Sequence, residues 1–138
     1  MRAGRQTVGR AVLLVCLAVP GLAAQAAPDA ARGEQVYARC LGCHALASDR
    51  VGPRHCGLVG RRAASVAGFD YSPAMKQSGI VWNEKSLNRF LAKPMDAVPG
   101  TSMTYDGVPL ATDRKDLIAY LKHVNTEAVC KPASRNKS

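Results

Sequence analysis

The chain has 138 residues, with 19 Lys+Arg against 10 Asp+Glu and a formal net charge of +9, which suits one domain and excludes two of ordinary size. The cations are scattered and no aromatic–basic stripe accompanies them, which argues against nucleic acid as the partner. A basic surface fits better with acidic protein partners or an anionic membrane face.

The first element is a targeting segment. Arg2, Arg5 and Arg10 precede the short apolar run 11–19, and small residues follow up to Ala24-Gln25-Ala26, the order of a secretory signal cleaved after Ala26. The run is far short of the ~20 residues that a membrane-spanning helix needs. Cleavage removes Cys16 and leaves Cys40, Cys43, Cys56 and Cys130. The reading is thus a signal over 1–26, one domain over 27–130 and a flexible tail over 131–138, exported to the periplasm.

Within the domain, residues 29–43 read as a helix with Asp29 as N-cap and Val36, Tyr37 and Leu41 along one side. Gly33 inside this helix suggests that another backbone crosses close by. From Ala47 to Gly68 the chain is Gly- and Arg-rich without a sustained period and reads as loop. A short helix is expected over 72–79, with Pro73 at its first position. Asn83 caps the next helix, whose apolar face is Leu87, Phe90 and Leu91 and which Pro94 ends. A second loop runs from Pro94 to Pro109. Thr112 opens the last helix, with Asp113 and Asp116 at its positive end and Leu117, Ile118, Tyr120, Leu121 and Val124 as its stripe. The sum is an all-α domain of four to five short helices and long loops, with too few large apolar side chains for an independent core. Such domains need a staple.

The segment "CLGCH", Cys40 to His44, offers one. Zinc would need a fourth ligand, with His55, Cys56, His123 and Cys130 the candidates, yet these form no second spaced pair. A thioredoxin-like dithiol wants a βαβ context that is missing, and a Cys40–Cys43 disulfide would close a small strained ring. Covalent haem attachment fits best: Cys-x-x-Cys-His is its signature. Both thiols then reach the porphyrin from one helical turn, and His44 follows as a ligand to iron. Leu58, Val59, Leu87, Phe90, Leu91 and Ile118 are available to wrap the macrocycle.

With "CLGCH", "VGPRHCGLVGRRA", "GFDYSPAMKQSGIVW", "LNRFLAKP", "VPGTSM" and "RKDLIAYLK" in order, the chain resembles class I cytochrome c from about Arg32 to Val124. The resemblance implies that small fold wrapped around one covalent haem c, and a one-electron carrier cycling Fe(III)/Fe(II), not an enzyme. Met75, Met95 and Met103 are the three methionines of the mature chain. Met75 falls in a helical turn, Met95 follows Pro94, and Met103 follows the Pro99-Gly100 turn. In the family, the loop matched by "PGTSM" supplies the sixth ligand, which points to Met103. His44 and Met103 are thus the implied iron ligands.

Further roles follow from the same likeness. Pro53 is expected to accept a hydrogen bond from the His44 ring, and Arg61, Tyr71, Trp82 and Thr101 to contact the haem propionates. Gly33, Tyr37, Leu117 and Tyr120 are expected at the crossing of the first and last helices. Family geometry also brings the loop after Gly52-Pro53 toward the end of the last helix, implying a Cys56–Cys130 disulfide. His55 and His123 are expected at the surface. Two departures stand out: Phe90 where relatives often carry tyrosine, and Met75 where they often carry asparagine. The stretch Met95 to Ser102 also lacks lysine, so displacement of Met103 by a lysine of that loop at high pH is not expected. The implied partners are redox proteins, a quinol-oxidising complex or dehydrogenase as donor and a terminal oxidase as acceptor, met by a monomeric shuttle. A fixed subunit of a dehydrogenase, or a ligand-binding haem protein, would be the other uses of the same domain.

Overall fold

The computed structural model describes residues 26–131; the expected signal and tail lie almost wholly outside them. Among the described residues there are five α-helices and no strand, only an isolated antiparallel bridge between Arg62 and Val81.

Helix α1 covers Ala30–Tyr37. The Asp29 carboxylate accepts from the backbone N–H groups of Ala31 and Arg32, at 2.9 and 3.3 Å, which satisfies donors the first turn leaves free. The helix then tightens into a 3₁₀ turn, Ala38–Cys40, sooner than the sequence suggested. Three residues per turn instead of 3.6 rotate the stripe, so Leu41 is 48% exposed while Val36 and Tyr37 stay buried.

Helix α2 is Pro73–Gln77, its first turn closed by the Ser72 hydroxyl on the Met75 N–H. Helix α3, Glu84–Ala92, starts from a reciprocal box: Asn83 Oδ1 accepts from Ser86 N–H at 2.9 Å, and Ser86 Oγ from Asn83 N–H at 2.8 Å. Pro94 opens a further helix, α4 (Pro94–Ala97), where the sequence suggested loop only. Proline suits a first helical position, where no N–H is required, and Lys93 in an extended conformation separates the two helices.

Helix α5, Ala111–Val124, buries Leu117, Ile118, Tyr120, Leu121 and Val124. It packs on α1 and on α3. At the α1 crossing a Cβ on Gly33 would overlap the Asp116 carbonyl, so only glycine fits. Asp116 serves here for more than the helix dipole. Its carboxylate accepts from Asp29 N–H at 2.7 Å and Arg32 Nε at 3.0 Å, tying the start of one helix to the other. Asp29's N–H and the Arg32 guanidinium hold the Asp116 carboxyl below its usual pKa. The Tyr37 and Tyr120 rings meet at 5.2 Å. A Cys56–Cys130 disulfide, with Cα atoms 5.1 Å apart, fastens the loop between α1 and α2 to the 3₁₀ turn after α5.

Candidate haem-binding site

The chain leaves α1 through the turn that presents Cys40, Cys43 and His44. Cys43 N–H and His44 N–H both donate to the Cys40 carbonyl, at 3.1 and 2.9 Å, so all three side chains come off one turn. They line a single cavity of about 340 Å³, a size in the range of cofactor sites. Both thiols are free. Of the residues weighed as a further zinc ligand, Cys56 and Cys130 are bonded to each other and His123 lies at the surface beside Glu127.

His44 is 8% exposed. Its Nδ1–H donates to the Pro53 carbonyl at 2.9 Å. A carbonyl only accepts, so Nδ1 carries a proton, which in the neutral ring leaves the lone pair on Nε2. Burial lowers the His44 pKa, against the opposing pull of Pro53, and a neutral imidazole is the form that ligates metals. Gly52 lies so close that a Cβ there would overlap the His44 ring; its N–H donates to the Cys43 carbonyl at 2.8 Å.

Apolar walls come from Leu58, Leu87, Phe90 and Leu91, together with Leu117 and Leu121 of α5. Val59 and Ile118, expected here from sequence, are not on the cavity. Leu117 and Leu121 are one helical turn apart and share a face, whereas Ile118 is rotated about 100° from Leu117. Leu117, expected at the crossing alone, therefore reaches the cavity as well. Met75, Thr101 and Met103 line the same space, and Met95 does not; it is 41% exposed on α4.

Arg61, Tyr71 and Trp82 also line the cavity. The Arg61 guanidinium donates to the Arg54 and Cys56 carbonyls, at 2.9 and 3.0 Å, and burial lowers its pKa. A half-buried guanidinium held by loop carbonyls is a ready partner for a carboxylate. Trp82 is buried, its ring 5.1 Å from Phe90. The donor set, the paired thiols and the apolar walls together fit a covalently attached haem.

His55 also lies elsewhere than the sequence suggested. His55 is half-buried and stacks on His44, ring centroids 4.3 Å apart and planes 22° from parallel. Its Nδ1 is hydrogen-bonded to the Tyr37 hydroxyl at 3.1 Å. Burial, then His44 and Arg61, push its pKa down to about 3. No periodicity marks a loop residue as inward-facing; the hydrogen bonds of His55 N–H to the Ala45 and Leu46 carbonyls turn it in. His123, in contrast, is at the surface beside Glu127.

A haem-attachment turn at the end of the first helix, crossed by the last helix and facing a methionine-bearing loop across a shared cavity, defines a class I cytochrome c domain. The family model for cytochrome c matches residues 30–125. Cytochrome c2 of Blastochloris viridis is 43% identical over 109 residues, covering 77% of this chain and 86% of that protein. Cytochrome c2 of Rhodomicrobium vannielii is 45% identical over 101 residues, 71% of this chain and 81% of that one. Among solved structures, cytochrome cH from Methylobacterium extorquens superposes with a TM-score of 0.67 at 41% identity, covering 69% of this chain and 98% of that one. The chain belongs to the cytochrome c family, whose members are electron carriers that bind one covalent haem c.

Proposed function

We propose that the protein is a periplasmic monomer that shuttles single electrons between redox proteins, with Cys40 and Cys43 bonded to haem c and His44 and Met103 as its iron ligands. The observation that carries this reading is the His44 imidazole, hydrogen-bonded through Nδ1 to the Pro53 carbonyl, on a cavity shared with Cys40, Cys43 and Met103. Haem c supplies a one-electron ferric/ferrous couple when bound.

The chain's own residues set the conditions for that couple. Pro53 and Gly52 hold His44 in one orientation, as outer partners of metal ligands do. The Met103 thioether is a soft ligand, and His/Met ligation raises the reduction potential. Leu58, Leu87, Phe90, Leu91, Leu117 and Leu121 keep water from the site, which lowers the local dielectric. Arg61, Tyr71, Trp82 and Thr101 are assigned to the propionate edge, where buried carboxylates require donors or a cation. His44 and Met103 would hold the iron between them, and the bound group would then pass single electrons without breaking a substrate bond. Donor and acceptor dock briefly over small interfaces, and the chain's basic surface sets how fast they meet. A dehydrogenase or quinol-oxidising complex as donor, and an oxidase as acceptor, fit this role.

Replacing the candidate methionines one at a time tests the ligand assignment. Met103→Ala abolishes the sulfur–iron absorbance band and lets the reduced protein bind carbon monoxide, whereas Met75→Leu retains the band. Loss of the band in Met75→Leu with its retention in Met103→Ala would contradict the assignment.

A further inference from the structure

We propose that His55 is a positioning residue that sets the plane of the His44 imidazole by stacking on it, with the Tyr37 hydroxyl anchoring His55 in turn. The inference rests on the reading of His44 as an iron ligand.

The torsion that turns an imidazole about its Cβ–Cγ bond has a broad energy well, so a ligand ring needs outside restraint. His44 has three. Its Nδ1–H is tied to Pro53 O, and the Gly52 backbone lies against ring atoms. The hydrogen bond locates one edge of the ring; it tolerates tilt, because acceptance at a carbonyl oxygen is angularly broad. A second flat ring 4.3 Å away and 22° from parallel resists that tilt, since offset-stacked rings keep a preferred mutual geometry. His55 is itself fixed at two points, its side chain on Tyr37 and its N–H on the Ala45 and Leu46 carbonyls. Tyr37 is 3% exposed and packs against Tyr120 of α5. A chain of contacts therefore runs from the helix crossing through Tyr37 and His55 to His44. The Cys56–Cys130 disulfide begins at the next residue and pins the same loop.

The plane of an axial imidazole decides which iron orbitals it overlaps, and so how unpaired spin spreads over the haem methyl groups in the ferric state. Proton NMR of the ferric holoprotein reads that spread directly. His55→Leu, close in volume but without a flat ring, is expected to reorder the hyperfine-shifted methyl resonances. His55→Phe, which keeps a ring to stack, retains the wild-type order. Tyr37→Phe deletes only the anchoring hydroxyl and moves the same resonances in the same sense by less, which keeps the test open should His55→Leu fail to fold. Methyl shifts unchanged in both His55→Leu and Tyr37→Phe, with the sulfur–iron band intact, would overturn the inference alone. Loss of the low-spin spectrum in His55→Leu would overturn it by making His55 a ligand. A wild-type protein without the signature of nitrogen and thioether ligation would overturn the ligand assignment as well.

Discussion

At the α1–α5 crossing, protein packs on protein. Gly33 admits the α5 backbone, Leu117 is wholly buried, and Asp116 ties the N-terminus of α1 to α5. Around the cavity, residues 41–72 and 98–110 contain no regular helix. Their turns are held by single hydrogen bonds such as Gly60 N–H to Trp82 O, by Arg61 on two loop carbonyls, and by one disulfide. Loop side chains such as Leu58, Phe69 and Met103 face a cavity of about 340 Å³, apolar surface that a bound haem would cover. The crossing is therefore completed by its own side chains, and the loop region by the haem it surrounds.

The largest break in this contrast is at the crossing. Gly33→Val drives a branched side chain into the Asp116 carbonyl and is expected to cost about 4 kcal/mol or more, lowering Tm by roughly 15 °C. Thermal melts followed by far-UV circular dichroism and by haem absorbance should fall together, because losing the crossing removes a wall of the cavity.

A smaller effect separates the two regions. Replacing both Cys56 and Cys130 with serine is expected to destabilise the holoprotein by about 2–4 kcal/mol. Hydrogen exchange should quicken over residues 52–60 and 126–131, while the amides of α3, which the disulfide does not touch, keep their protection relative to the rest. Uniform acceleration throughout would mean that the loop is not a distinct unit.

How far these regions were legible in the sequence follows the same division. The stripes of α3 and α5 and the Asp29 and Asn83 caps repeat at helical spacing, so periodicity and capping chemistry reveal them. Helix α4 is four residues long, too short for a period. The 3₁₀ turn that exposes Leu41 depends on how the chain closes around Cys40. Asp116 reads from sequence as a dipole partner because nothing local shows that Asp29 lies across from it. The site's chemistry was plain in "CLGCH", where attachment requires adjacent residues. The inward turn of His55 and the choice between Leu117 and Ile118 as walls are set by tertiary packing alone.

Asp116 gives the mildest test, through pH. Its folded-state pKa is depressed, so its contribution is present above the ordinary carboxylate range and is lost as pH falls through the folded pKa. Asp116→Asn is expected to lose about 1 kcal/mol near neutrality. Its stability should also decline less steeply than the wild type's on acidification below the ordinary carboxylate range. Chemical denaturation at several pH values checks both. Parallel pH profiles for the two proteins would show that the latch carries no ionic component.

The central claim is that a haem completes this fold through covalent bonds to Cys40 and Cys43. Intact mass of the protein, purified from a host competent in haem attachment, tests it most directly when read beside the oxidised and reduced spectra. One haem added to the polypeptide mass, retained under denaturing conditions and lost in the Cys40→Ala/Cys43→Ala variant, is the predicted result. A colourless protein weighing no more than its amino acids would contradict it.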